Sequence, residues 1–316
     1  MRILAADIGG THSRFAAADI QSLSDITMGK PFIFPTWLET NGSLDDMLEY
    51  FQQNAPADIA DLDQYQTIGL GVAGAVNGGK ATLPNIPWDI DLESVSRIDS
   101  VFLLNDFYAQ AHAFMDMKFL DSLHLVRPGS GFGPGSIAIV GAGTGLGHAA
   151  LKSFVGGQMV IGSESGHGTF SFHGNEERDI EDFFMARSGN KWISNDEVVS
   201  GSGAALLHEY FTGKTVSPAE ALTETGDNFS TRSFFSRFYA RACRNYCLAV
   251  HPVERLLISG GVAARNPHLL ECAEFSNEFN DAEHYRHLFE HIPIYLNIDQ
   301  GVGLRGAAIH AWLQLH

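Results

Sequence analysis

Leu103-Leu-Asn-Asp-Phe107 is the stretch around which the rest of the chain is interpreted. The apolar run Ser100-Val-Phe-Leu-Leu104 predicts a buried strand, and that strand ends abruptly in an amide and a carboxylate. Strands and helices alternate around it, which indicates an α/β layer, and open α/β sheets build their sites at the carboxyl ends of strands. Two glycine-rich turns flank it at a distance, Asp7-Ile-Gly-Gly-Thr11 and Gly141-Ala-Gly-Thr-Gly-Leu-Gly147. A carboxylate between two candidate phosphate-binding turns indicates phosphoryl transfer.

Composition limits the classes of partner. The 316 residues include 45% hydrophobic residues and 33 glycines, which is typical of a packed protein of about two domains. A formal charge of -17 without a lysine or arginine run argues against a nucleic-acid partner. We expect no membrane partner and a cytosolic location, because no signal peptide or long apolar span is present. The three cysteines lack zinc-binding spacing and fit buried thiols in a reducing compartment.

Each glycine-rich turn follows a short apolar strand. The first strand, residues 2–6, ends at Asp7, and a second apolar run follows the glycine turn. This pattern predicts a β-hairpin and not the strand-to-helix turn of a Rossmann fold. No Walker A motif is present. Residues 137–150 repeat the pattern of residues 3–18. Either the protein contains two similar halves, or the two glycine hairpins are unrelated.

The turns supply groups that bind phosphate. Closely spaced glycines let backbone N–H groups converge on phosphate oxygens, and the threonines add hydroxyl donors. Asp7 is placed to hold Mg²⁺ through the water shell of the ion. The candidate phosphate-binding residues are Gly9, Gly10, Thr11, Gly141, Gly143, Thr144 and Gly145.

Asp106 is the candidate general base. Transfer of a phosphoryl group to an alcohol needs a carboxylate that accepts the hydroxyl proton as the new bond forms. The alternative is that Asn105 and Asp106 only cap the following helix, since both residue types are favoured there.

Two further polar clusters suit a polyhydroxylated substrate. Glu164 and His167 lie three residues apart in a glycine-containing segment, where they could accept and donate hydrogen bonds to sugar hydroxyls. Asp196 and Glu197 could add another acceptor. The alternatives are a solvated loop for the first pair and ordinary turn or helix-end acids for the second.

Taken together, five motifs in order resemble bacterial glucokinases of the non-ROK type, within the actin/hexokinase/Hsp70 superfamily. The resemblance covers nearly the whole chain. The motifs are Asp7-Ile-Gly-Gly-Thr-His-Ser-Arg14, Leu104-Asn-Asp-Phe107, Gly141-Ala-Gly-Thr-Gly-Leu-Gly147, Glu164-Ser-Gly-His167 and Ile258-Ser-Gly-Gly-Val262.

The resemblance implies a two-lobed actin-like ATPase (ribonuclease H-like) α/β fold with duplicated halves and an active-site cleft between the lobes. It implies a small α/β lobe of residues 1–108 completed by a C-terminal helix at 300–316, and a large α+β lobe of residues 109–299. The family is often dimeric, so a homodimer is a further expectation.

The implied activity is phosphorylation of the 6-hydroxyl of D-glucose by ATP and Mg²⁺. In that interpretation Asp106 takes the hydroxyl proton and Gly260 and Gly261 lie against adenosine. The implied sugar-binding residues are Asn85, Asn105, Glu164, His167 and Asp196.

The chain departs from the family pattern at two sugar-site positions. Asp196 stands where the family has glutamate, and Ser165 replaces a glycine. A kinase for another hexose (mannose, fructose or an amino sugar) therefore stays open, as does a non-catalytic sugar sensor of the same fold. The zinc motif of ROK kinases is absent from the sequence.

Overall fold

The computed structural model describes residues 1–37, 42–83, 86–96, 100–131, 133–224 and 228–316. The chain forms two compact units, Met1–Ser122 with Asp299–His316, and Leu123–Ile298. In the described ranges, no helix combines the length and the apolar character that crossing a bilayer requires.

The first unit is built on a six-stranded sheet. Its strand order is β3-β2-β1-β5-β9, with β4 paired to β2, and β6, β7 and β8 form a separate small sheet. The elements are β1 (Arg2–Ile8), β2 (His12–Ser22), β3 (Asp25–Met28), β4 (Phe32–Pro35), α1 (Leu44–Asn54), α2 (Ala57–Ala60), β5 (Thr67–Val72), β6 (Ala75–Asn77), β7 (Lys80–Thr82), β8 (Ile90–Asp91), β9 (Val101–Asn105), α3 (Asp106–Ala113) and α4 (Met117–Leu120).

The second unit contains another six-stranded sheet, ordered β10-β15-β14-β11-β12-β13. Its elements, and the last helix, which belongs to the first unit, are β10 (His124–Arg127), β11 (Ser136–Ala142), β12 (Leu146–Phe154), β13 (Gly157–Ser163), α5 (Gly174–Ser188), α6 (Asn195–Val198), α7 (Gly201–Thr212), α8 (Pro218–Ala221), α9 (Phe229–Ala249), β14 (Val253–Ser259), α10 (Gly261–Arg265), α11 (His268–Glu271), α12 (Ala273–Asn280), α13 (Arg286–Phe289), β15 (Ile294–Leu296) and α14 (Val302–Gln314).

The two sheets repeat one topology. In the first unit β1 pairs antiparallel with β2 and parallel with β5, and β5 pairs parallel with β9. In the second, β11 pairs antiparallel with β12 and parallel with β14, and β14 pairs parallel with β15. The hairpins predicted at both glycine turns are therefore present. The sequence left open whether the protein contains two similar halves or two unrelated glycine hairpins, and the repeated topology confirms the two similar halves.

Burial explains why the central strands are apolar. All six residues of β5 and all seven of β11 are buried, as is typical of central strands with parallel neighbours. One core of the first unit joins the sheet to α1 through Leu48 and Phe51. In the second unit α9, with Phe235 and Phe238, packs into the core that includes β11 and β14.

Helix α14 returns to the first unit and packs against α3. Arg305 on α14 forms an ion pair with the buried Asp116, with Nη1 to Oδ2 at 2.7 Å. The domain boundary expected after residue 108 falls within α3, and the compact unit extends to Ser122.

A buried ionic network connects the helices of the second unit. Arg241 on α9 donates to both carboxylate oxygens of Glu177 on α5, at 2.5 and 2.9 Å, and to Glu278 on α12 at 2.8 Å. It also donates to the Ser171 carbonyl at 2.7 Å. Removing one member would leave buried charge unpaired, which typically costs about 3–5 kcal/mol.

Candidate active site

One edge of the first sheet collects the polar residues predicted from the sequence. Because β1, β5 and β9 are parallel, their carboxyl ends lie at the same edge. The register pairs Asp7 with Gly71, and Val72 with Asn105. Asp7 and the Asn105–Asp106 pair therefore share this edge, two strands apart.

Asn105 caps helix α3. Its Oδ1 accepts hydrogen bonds from the backbone N–H groups of Phe107 (2.9 Å) and Tyr108 (3.1 Å), and its Nδ2 donates to the Gly74 carbonyl (3.1 Å). These bonds satisfy two helix-end donors and connect β9 to the segment after β5. The capping alternative therefore holds for Asn105, and its side chain is fixed in place.

Asp106 is the first residue of α3 and is half-buried. Its Oδ1 accepts a hydrogen bond from the backbone N–H of Phe107 at 2.8 Å. Since Asn105 supplies the cap, the fold does not need the Asp106 carboxylate for that purpose. The Asp106 carboxylate therefore lies at a strand end beside a helix N-terminus, where open α/β sheets place functional groups.

Asp7 forms an ion pair with its neighbour across the hairpin. Its Oδ2 lies 3.2 Å from Nη1 of Arg14, and the two residues face each other in the β1–β2 register. The Asp7 side chain is 19% exposed, and burial raises the pKa of this carboxyl while Arg14 opposes the rise. The first turn of α14 comes close to it, because a Cβ on Gly303 would lie 3.3 Å from the carboxyl carbon.

This carboxylate fits a weakly coordinating magnesium site. Among the described residues, no cluster of three or more His, Cys, Asp or Glu side chains could enclose a metal ion. Mg²⁺ usually takes one or two protein carboxylates and keeps several waters, with substrate phosphates as further ligands. The half-buried carboxylate of Asp7, close to a glycine turn, suits that mode.

The first glycine turn is supported by a residue that the sequence interpretation missed. Thr36 is fully buried, its hydroxyl donates to the Gly9 carbonyl at 2.6 Å, and its N–H donates to the Thr11 carbonyl at 3.0 Å. The hydroxyl of Ser13 completes the group, 2.9 Å from that of Thr36. Thr11 itself is exposed at the tip, with Gly10 half-buried beside it.

The second glycine turn has different supports. The Gly143 N–H donates to the Gly145 carbonyl at 2.7 Å, and the Gly143 carbonyl accepts from the N–H of Gly201 at the start of α7. Thr144 is exposed at the tip, as Thr11 is in the first turn. The hydroxyl of the buried Tyr239 accepts from the Ala142 N–H at 3.1 Å, immediately before the turn.

The glycines predicted to contact adenosine lie beside this turn. In the β11–β14 register, Gly141 pairs with Ser259, so Gly260 and Gly261 continue from the neighbouring strand. Gly260 has a φ of 97°, and a Cβ there would lie 2.6 Å from the Ala142 carbonyl oxygen. Only glycine fits this conformation and this close approach.

Asp196 contacts the second turn directly. Its Oδ1 accepts from the Leu146 N–H at 2.6 Å, and a Cβ on Gly145 would lie only 2.3 Å from the same oxygen. The absence of a side chain at Gly145 thus makes room for this carboxylate. The sequence interpretation assigned Asp196 to the sugar alone and missed this contact.

Glu197 is used for helix capping. It forms a capping box with Ser194 and accepts from Asn190 Nδ2 at 2.7 Å. Partial burial acts against ionisation, but the hydrogen bonds from Ser194 and Asn190 hold the pKa of Glu197 below its usual value. The alternative of a helix-end acid therefore describes Glu197.

Glu164 and His167 lie together at the surface of the second unit. Glu164 Oε2 is 3.6 Å from His167 Nε2, and their side chains are 80% and 71% exposed. A short 3-10 turn over Ser165–His167 brings them together. Asn85, the fifth residue implied to bind sugar, lies outside the described residues.

The sequence profile of the glucokinase family matches residues 4–314. The chain is 26% identical to a glucokinase of Nostoc sp., with 98% of each chain covered. It is 28% identical to a glucokinase of Zymomonas mobilis, with 98% of this chain and 97% of the relative covered.

Solved structures show the same fold. A glucokinase from an Antarctic psychrotroph superimposes with a TM-score of 0.81 at 24% identity, covering 99% of both chains. A ROK family glucokinase of Streptomyces griseus, in complex with glucose and AMPPNP, gives a TM-score of 0.66 at 17% identity, covering 99% of this chain and all of the other. The expected actin-like ATPase fold is confirmed. By its profile match over nearly the whole length, the chain belongs to the glucokinase family.

Proposed function

We propose that this protein transfers the γ-phosphoryl group of ATP to the 6-hydroxyl of D-glucose, with Asp106 as the general base. The observation that carries the proposal is the shared sheet edge, where Asp106 follows β9 and Asp7 ends β1. A base for the acceptor alcohol and a carboxylate for the metal of the donor are the two acidic groups that such a transfer needs.

In the reaction, the sugar oxygen attacks the γ-phosphorus in line with the leaving ADP. The new P–O bond forms as the bond to the β,γ-bridging oxygen breaks, and Asp106 accepts the hydroxyl proton. The Asn105 cap holds the start of α3, so the position of the base is set by the fold. Such a base contributes about 10²–10⁴ in rate, and the remainder comes from positioning and charge stabilisation.

The nucleotide is assigned to the glycine turns. In the turns Gly9–Thr11 and Gly141–Gly145, the backbone N–H groups at the tips, those of Gly10, Thr11 and Thr144, would donate to phosphate, because the N–H groups of Gly9, Ala142 and Gly143 already donate within the protein. Gly260 with Gly261 lies against adenosine. Asp7 would hold Mg²⁺ through water, and Mg²⁺ bound there would offset the charge of the phosphates. Backbone donors suit this chain, because its charge of -17 provides little general attraction for ATP.

The sugar is assigned to Asn85, Asn105, Glu164, His167 and Asp196. Exposed Glu164 and His167 can accept and donate to hydroxyls without first breaking a buried contact. A second candidate is a kinase for another hexose, because Asp196 commits one oxygen to Leu146 and is one methylene shorter than glutamate.

ADP release from Mg-ATP, measured with and without D-glucose, tests the proposal. Fructose, mannose, galactose and N-acetylglucosamine are assayed in parallel. The proposal predicts strong stimulation by glucose and a product identified by NMR as glucose 6-phosphate. Preference for another sugar would support the second candidate, whereas no stimulation by any of these sugars would contradict both.

A further inference from the structure

Two adjacent side chains of helix α6 hold two different loops of the second unit. Asn195 Nδ2 donates to the carbonyls of Ser165 (3.1 Å) and Gly168 (2.9 Å), at the ends of the segment that carries His167. Asp196 Oδ1 accepts from the Leu146 N–H (2.6 Å) at the second glycine turn. Neighbouring residues of α6 therefore contact the segment that bears Glu164 and His167 and the second glycine turn.

Backbone contacts strengthen this connection. The Asn195 N–H also donates to the Gly168 carbonyl at 2.9 Å, and residues 194 and 169 form an isolated β-bridge. At the other end, Gly201 donates to the Gly143 carbonyl at 2.9 Å. The capping box of Ser194 and Glu197 fixes the start of α6 between these contacts.

We infer that Asn195 is a positioning residue which, together with the neighbouring sugar-site residue Asp196, couples sugar binding to nucleotide binding. The inference rests on the proposed function, which places sugar at Glu164 and His167 and phosphate at the glycine turn. A sugar that orders residues 164–168 orders Asn195 through the two carbonyl bonds, and α6 then holds the Asp196 carboxylate against Leu146. A nucleotide that meets an already ordered turn loses less conformational entropy, so each ligand tightens the binding of the other.

The test measures the dissociation constant of D-glucose with and without saturating Mg-ADP, by calorimetry. For the unaltered protein we expect Mg-ADP to tighten glucose binding about 5-fold or more. Asn195→Ala removes both carbonyl bonds, and its coupling factor should fall to about 1, while its affinity for Mg-ADP alone stays within about 2-fold. Asn190→Ala is the matched control, because Asn190 directs its amide to Glu197, and the coupling factor should be unchanged.

An unchanged coupling factor in Asn195→Ala would overturn the inference, as would an equal loss in Asn190→Ala. A second measurement uses only the unaltered protein. Glucose alone should slow hydrogen exchange at the amides of residues 143–147, and bound glucose without such protection would also overturn the inference. Failure of the proposed function is distinguishable, because it would appear as no glucose binding or no glucose-dependent ADP release in the unaltered protein.

Discussion

The two glycine turns share one backbone topology and differ in the chemical groups around them. In the first, Asp7 ends the strand and pairs with Arg14 across the hairpin. In the second, Gly141 occupies the equivalent position, and the nearby carboxylate, Asp196, comes from helix α6. The two sheets therefore provide similar backbone frames, whereas the charged groups around the two turns differ in position and in the element that supplies them.

We propose that this difference gives the two units different tasks. The first sheet edge carries the acids proposed for metal and proton chemistry, Asp7 and Asp106. The second carries hydrogen-bonded supports, in which Asp196, Tyr239 and Gly201 each contact the backbone of the turn or of the residue before it. We expect substitutions of the acids at the first sheet edge to act mainly on the rate and on pH dependence, and substitutions around the second turn to act mainly on binding and stability.

Asp106→Ala should give the largest effect. Without the general base, kcat should fall by about 10²–10⁴, while glucose binding is largely retained. Asp121→Ala, an exposed aspartate of the same unit, serves as the control and should keep kcat. Steady-state ADP release measures both variants, and a near-normal kcat in Asp106→Ala would rule out its role as base.

Gly145→Ala tests the close contact in the second turn. The new Cβ would lie 2.3 Å from Asp196 Oδ1, so we expect the free energy of unfolding to fall by about 1–3 kcal/mol. At Gly143 a Cβ would meet no atom within 4 Å, and Gly143→Ala should change stability by no more than about 0.5 kcal/mol. Urea unfolding compares the pair, and equal losses would show that the Asp196 contact does not constrain the turn.

Arg14→Gln should shift the pH dependence of the first unit. Burial raises the pKa of Asp7 and Arg14 lowers it, so losing the guanidinium should raise this pKa further. The proposed Mg²⁺ site needs an ionised Asp7, so the acid limb of kcat/KM for Mg-ATP should move to higher pH. Arg14→Lys keeps a cation and should shift the limb less.

The same substitution affects stability in a pH-dependent way. A group whose pKa is raised by folding favours the folded state at low pH and loses that contribution as pH rises through the raised pKa. The free energy of unfolding of Arg14→Gln should therefore fall further below that of the unaltered protein as pH rises. Near neutrality the difference should reach about 1–2 kcal/mol, a modest value because the side chains of Asp7 and Arg14 retain some exposure to water. Urea unfolding at several pH values measures it, and a deficit independent of pH would show that Asp7 is not the group responsible.

Thr36→Val should give the smallest effect. It removes the hydroxyl that joins Ser13 to the Gly9 carbonyl, and we expect a loss of about 1 kcal/mol in the free energy of unfolding. Thr36→Ser keeps the hydroxyl and should recover most of that loss. If the serine variant were as unstable as valine, the methyl group and not the hydrogen bonds would explain the role of Thr36.

Local patterns predicted the parts of the site that lie within one element. Apolar runs ending in Asp7 and in Asn105 identified β1 and β9, and the repeated glycine pattern identified both hairpins. Parallel pairing then places such strand ends at one sheet edge, as general rules for α/β sheets require.

Residues that hold the glycine turns from distant parts of the chain could not be identified from the sequence. Thr36 is 25 residues beyond Thr11, and nothing in its neighbourhood marks it as a partner of the turn. Asn195 and Asp196 look the same in sequence whether they face solvent, a sugar or another loop. Arg14 differs, because the register of a tight hairpin places it opposite Asp7 and could have revealed the ion pair.

The division of tasks between the two units is tested most directly by comparing Asp106→Asn with Asp196→Asn. The glucose dissociation constant and the rate of ADP formation at saturating glucose are measured on the same preparation of each variant. The account predicts that Asp106→Asn loses about 10²-fold or more in rate with little change in glucose affinity, whereas Asp196→Asn keeps most of the rate and binds glucose more weakly. A fast Asp106→Asn enzyme, or equal rate losses in both variants, would contradict it.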